Sequence, residues 1–153
     1  MRSAFMFKYI IFAVKHNDNS GMNLTHVWNL AVKFQAKVKI LHVKPSLARQ
    51  IEHNHGYFFY DFEQEALQEK LIQIKQQLSI GGVEVELEYV TGDIEDVLIQ
   101  QANQPDCDLL ILSQSRRSVW KRFFQANVLK NITPHIKRPI IILPNTIQDK
   151  KTS

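Results

Sequence analysis

The chain has 153 residues, 44% hydrophobic and 22% charged, with a formal net charge of +4. That is one domain's length with enough apolar residues for a real core, which excludes a disordered chain, a collagen-like chain and a disulfide mini-protein. A single cysteine, Cys107, excludes an intrachain disulfide and points to a reducing, cytoplasmic setting. The first fourteen residues are interrupted by Lys8 and lack a cleavage-site pattern, so no secretory leader is expected. No apolar run approaches the ~18 residues of a membrane span.

In chain order, Lys8 to Val14 is a short apolar run rich in β-branched and aromatic residues, and predicts a buried strand closed by the polar stretch 16–21. Leu24, Val27, Trp28, Ala31 and Phe34 recur at helical spacing, with Asn19 or Ser20 as a candidate N-cap. Lys37 to Val43 predicts the second strand, ended near Pro45. Leu67, Leu71, Ile74 and Leu78 form the stripe of a longer helix, broken by Gly81-Gly82. From Val83 to Val90, apolar residues alternate with Glu84, Glu86 and Glu88. This predicts a half-exposed strand at a sheet edge, its glutamates serving solvation and edge protection.

Asp93 is placed to cap the next helix, with Glu95 and Asp96 at the positive end of its dipole and Ile94, Val97, Leu98 and Ala102 inward. Asp108 to Leu112 predicts a fully buried strand. A basic helix is expected from about Val119 to His135, and the last strand runs from Pro139 to Leu143 before Pro144. Strict alternation of strand and helix implies right-handed crossovers and a parallel sheet covered on both faces. Ligands of such sheets bind beyond the carboxyl ends of the strands, so the loops after Val14, Val43 and Leu112 are where a site is expected.

Three stretches together resemble the universal stress protein (UspA-like) family: Tyr9 to Val14, Lys39 to Val43, and Gly92 through Pro144. The resemblance implies a doubly wound, five-stranded parallel α/β sheet in the order 3-2-1-4-5, with helices on both faces. The domain would cover residues 1–146, followed by a polar tail, 147–153. Nucleotide-binding members of the family place a glycine after strand four, another three residues on, and a Gly-Ser or Gly-Thr pair after nine more. The backbone can approach phosphates there because no Cβ intervenes. The matching positions here are Ser113, Arg116, Ala126 and Asn127. An Asp at the end of strand one is matched by Lys15. The resemblance is therefore to the branch without the phosphate loop. It implies a non-enzymatic stress-response protein with no cofactor, acting through binding and protein contacts. The alternative is an ATP- or AMP-binding signalling module with a degenerate loop.

Charge is unevenly spread. Residues 1–50 carry net +7, residues 51–108 net −11, and residues 109–153 net +8. Basic residues gather where the crevice is expected: Lys15, Lys44, Arg116, Arg117, Lys121 and Arg122. They could hold an anion through Arg forks and Lys point charges, or form a solvated rim. For an anion or nucleotide at the switch point, the candidate residues are Lys15, Val43, Gly92, Ser113, Arg116, Arg117 and Asn127. Seven Lys/Arg and no acid lie between Leu109 and Gln148, yet no helix-turn-helix, zinc or RNP signature accompanies them, so specific nucleic-acid recognition is not expected. His53 and His55, with Glu52 and Asp61 nearby, lack a metal framework and read as an exposed connector. His42 reads as a packed core residue and Cys107 as a packed thiol. No nucleophile elbow, Walker loop, dinucleotide fingerprint or zinc-protease motif occurs, so no catalytic residue is assigned. The apolar strand Pro139 to Leu143 reads as a sheet edge, and the resemblance implies a homodimer through it.

Overall fold

A computed structural model describes residues 7–14, 21–44, 57–113 and 126–143, at 21–23, 57–67, 126 and 127 for the backbone alone. The elements are β1 (Tyr9–Val14), α1 (Gly21–Phe34), β2 (Lys37–Lys44), α2 (Tyr57–Ile80), β3 (Val85–Thr91), α3 (Ile94–Ala102), β4 (Leu109–Ser113), α4 (Ala126–Ile132) and β5 (Ile140–Leu143). They form one parallel sheet in the order β3-β2-β1-β4-β5. The order expected from the resemblance is the one observed.

The central strands are buried on both faces; β1 and β4 accordingly read as nearly unbroken apolar runs, while β2 carries Lys37, Lys39, His42 and Lys44 among its eight residues. Alternation sends their side chains into two cores. Ile10, Phe12 and Val14 pack with α1 and α2 through Val27, Leu71 and Leu78. Ile11, Ala13 and Leu41 pack with α3 and α4 through Leu98, Val128 and Ile132. His42 and Cys107 are buried, as the sequence predicts. Burial pushes the Cys107 thiol up to about 11, so it stays protonated and unreactive at neutral pH.

Asp93 caps α3: its Oδ1 accepts the amides of Glu95 at 3.0 Å and Asp96 at 3.3 Å. Gly81 and Gly82 end α2 as expected, and Gly82 takes a positive φ of 86°. Gly81 is required for a different reason: a Cβ there would stand 1.8 Å from Trp28 Nε1. Asn103 stitches the far end of α3 to the chain entering β5: its Nδ2 donates to the His135 carbonyl at 2.8 Å, and its Oδ1 accepts from the Lys137 amide at 2.9 Å.

The basic helix expected from Val119 to His135 is shorter where it is described. It is α-helical over Ala126–Ile132 and tightens into a 3₁₀ turn over Thr133–His135, where Pro134 cannot donate to an α-helical ladder. Its expected start, the candidate caps Asn19 and Ser20, Leu67's side chain, the His53/His55 connector and the polar tail lie outside the described residues. The third strand begins two residues later than its alternation suggests, at Val85, and extends to Thr91.

Candidate functional site

The parallel order reverses at β1, whose two neighbours, β2 and β4, connect through α1 on one face and α3 on the other. In folds of this order the ligand crevice is found beyond the carboxyl ends of the strands at the reversal, here β1 and β4. Val43 and Ser113 both reach this edge but on opposite faces. Val43 belongs to the α3/α4 core, whereas Ser113 follows Ile111 onto the α1/α2 face and is 1% exposed. Strand alternation thus divides two residues that the chain-order reading grouped.

Gly92 is next to Val43 in space, since its N–H donates to the Lys44 carbonyl at 2.9 Å. That donor is therefore already committed. A Cβ at Gly92 would lie 3.1 Å from Val97 Cγ2, so close packing against α3 accounts for the glycine. Asp93 meanwhile fills the α3 N-terminus with its own carboxylate, and Glu95 and Asp96 add two more acids in the first turn. This corner of the crevice is acidic, and it disfavours an anion. Glu95 Oε1 also accepts from Asn131 Nδ2 at 3.1 Å, joining α3 to α4. Lys15, Arg116, Arg117, Lys121 and Arg122 lie outside the described residues, as does the side chain of Asn127, whose backbone opens α4.

A second polar constellation was missed as a unit. On the α3/α4 face, where β3 forms the sheet edge, Tyr9, Lys37, Lys39, Glu84, Glu86, Glu88 and Gln101 form a connected ladder. Lys39 lies buried in β2. Its ammonium pairs with Glu88 and donates to Gln101 Oε1 at 2.9 Å. Lys37 bridges Glu86 at 3.3 Å and Glu84 at 3.8 Å, and it sits 5.9 Å from the Tyr9 ring centroid. The Tyr9 hydroxyl donates to Glu86. Burial and then Glu86 push the Tyr9 phenol well above its usual range, while the bond from Tyr9 lowers Glu86 against its own desolvation. The glutamates are thus more than a solvated fringe: they neutralise lysines on the neighbouring strand. The sequence signal was present, because Lys-x-Lys at 37–39 and Glu-x-Glu-x-Glu at 84–88 become opposing rows once β2 and β3 are paired. Among the described residues, no group of three or more His, Cys, Asp or Glu is placed to hold a metal.

The arrangement is that of a doubly wound α/β domain with its crevice at the β1 switch point and no assembled catalytic constellation among the described residues. A family model described as the universal stress protein family matches residues 6–144, and the chain belongs to that family. Solved structures share the fold. The universal stress protein UspA from Lactobacillus plantarum aligns with a TM-score of 0.68 at 17% identity, covering 90% of this chain and 97% of that one. A universal stress protein in complex with cAMP gives 0.64 at 16%, covering 92% and 99%. A universal stress protein from Archaeoglobus fulgidus in complex with dAMP gives 0.61 at 18%, covering 90% and 98%. No curated protein matches the sequence.

Proposed function

We propose that this chain is a non-enzymatic, cytoplasmic stress-response protein that works as a homodimer through binding and protein contacts, and that it does not take up ATP. The observation that carries this reading is the chemistry of the positions from the end of β4 to the start of α4. All four positions that match the family's phosphate-loop glycines and their following Ser or Thr, namely Ser113, Arg116, Ala126 and Asn127, bear side chains other than the expected ones, three of them replacing glycine. Where Ser113 stands, the side chain is buried in the α1/α2 core, so the backbone there is backed by packed atoms. The lone buried thiol agrees with a reducing compartment. Among the described residues no helix is long and apolar enough to cross a membrane. Dimerisation through β5 is supported by its apolar sequence at the sheet edge, with Ile142 39% exposed.

A second reading is a nucleoside monophosphate site. It is favoured by the cAMP and dAMP that two structural neighbours hold, each bearing a single phosphate that needs a smaller cradle than a triphosphate. A thermal-shift titration with Mg-ATP, AMP and inorganic phosphate at fixed ionic strength tests both. A ligand at a hundred times its Kd stabilises a fold by about 2.7 kcal/mol, a readily measured shift. No shift with any of the three is the expected result. A saturable shift with AMP alone replaces the first reading by the second. A shift with Mg-ATP overturns the claim that the loop excludes it.

A further inference from the structure

The two faces of β3 are attached to the sheet by different forces. On the α1/α2 face, Val85 and Leu87 pack against the core. On the opposite face Glu86 and Glu88, with Glu84 just ahead of the strand, meet lysines of β2, and Val90 is the strand's one apolar residue there. The backbone ladder lies between the faces. Val38 N–H donates to the Glu84 carbonyl and Gly92 N–H to the Lys44 carbonyl, each at 2.9 Å. The parallel pattern between these two bonds turns the amides of Glu86, Glu88 and Val90 toward β2.

Charge on this face is most confined at Lys39, which is 7% exposed. Its ammonium pairs with Glu88 and donates to Gln101 Oε1 at 2.9 Å, while Glu86 acts on it from farther off. Acid removes the charge of Glu88, but it cannot remove the charge of an ammonium. The protonated acid and the Gln101 amide still accept hydrogen bonds, yet neither carries a counter-charge. A buried ammonium without one is costly, and hydration relieves it. Water reaches Lys39 once β3, the outermost strand, moves away. We propose that β3 is an acid-released edge strand, unlatched when Glu88 loses its charge against the buried Lys39. Release bares the outer backbone row of β2, the kind of edge that pairs with other chains. The device goes beyond the function proposed above and does not rest on it. The other titratable groups around this strand are Tyr9, Lys37, Glu84 and Glu86 on the same face, with Asp106 acting on Tyr9, and His42 on the other face, edge-on to Tyr89 at 6.2 Å. The Lys37 side chain is 34% exposed against 9% for Lys39, so solvent already screens Lys37 when its glutamates are protonated.

The test follows amide exchange in the full, ¹⁵N-labelled chain from about pH 7 to about pH 3, a range that spans carboxylate titration in model peptides. Protection is corrected for the intrinsic pH dependence of exchange. The amides of Glu86, Glu88 and Val90 are expected to lose protection at least about tenfold in acid, while those of Ile11, Ala13 and Leu110 to Leu112 hold theirs. A fall shared by all of these strands, or no fall in β3, overturns the proposal. Glu88→Gln mimics the uncharged acid and is expected to show the low β3 protection already at neutral pH; wild-type protection in this variant overturns the proposal. Lys39→Met removes the buried charge and is expected to abolish the acid loss. A loss that persists in Lys39→Met overturns the proposal and passes the trigger to His42. Should Lys39→Met fail to fold, the wild-type series and Glu88→Gln still decide.

Discussion

The two edges of the sheet are built in opposite ways. β3 has seven residues, its two glutamates and Glu84 just before it are matched by lysines on β2, and its outer row of backbone groups is guarded by charge. β5 has four residues, all aliphatic, and among the described side chains none guards it with charge. An unguarded edge is a template for pairing with another chain, and a charged one resists it. One edge of the sheet therefore resists pairing, and the other is the edge on which the proposed dimer would form.

Transplanting the character of one edge to the other is the strongest way to break this contrast. Ile142→Lys puts a charge on β5 like those along β3. If β5 forms the proposed dimer, its dissociation constant measured by sedimentation is expected to rise at least about a hundredfold, with the monomer still folded. An unchanged constant would place the dimer contact elsewhere. Gly81→Ala probes the turn between α2 and β3 by packing rather than by charge. The added methyl overlaps Trp28 Nε1, so a loss of about 1–3 kcal/mol and a shift in indole fluorescence are expected in denaturant titrations.

The ladder at β3 is probed next. Glu88→Gln leaves the buried Lys39 ammonium with Gln101 and without its counter-charge. A destabilisation of about 1–2 kcal/mol in urea unfolding is expected, below the range for fully buried pairs because Glu88 is partly exposed. Combining it with Lys39→Met should recover most of the loss, and failure to recover would mean that Lys39 is held by packing rather than by charge. The smallest effect is the pH dependence through Glu86. Its folded pKa lies below the unfolded value, so its contribution is present above the ordinary carboxylate range and is lost as pH falls through the folded value. Tyr9 has the opposite sign: its folded pKa is raised, so its contribution is complete below about pH 10 and is lost above it as pH rises toward the folded value. Glu86→Gln should flatten the fall in Tm between pH 5 and 3 by about a degree or two. An unchanged acid limb would show that solvent screens the Tyr9–Glu86 bond.

How legible each part was depended on the range of the interactions that make it. The strands β1 and β4 were readable because burial on both faces demands continuous apolar runs, and the α3 cap because Asp93, Glu95 and Asp96 act within one helical turn. The end of α4 was misjudged because the 3₁₀ turn at Thr133 follows from one proline against a basic, otherwise helical pattern. The candidate site was less legible. Gly92 was a candidate for anion or nucleotide contact, yet its donor is committed to Lys44 and its missing Cβ makes room for Val97.

By itself, the order of residues determined the class of fold, the half-exposed third strand and the resemblance to the family, because periodicity and alternation are local properties of the chain. Tertiary structure alone decided which charges met. Lys39 and Glu88 are 49 positions apart in the chain, and Tyr9 and Glu86 are 77 apart. Their pairing exists only because parallel register lays β3 beside β2 and β2 beside β1. Tertiary structure likewise set Val43 and Ser113 on opposite faces and brought His42 against the end of β1. A strand's sequence specifies which side chains alternate, but the face each one takes and the neighbour it finds are fixed only when the sheet assembles.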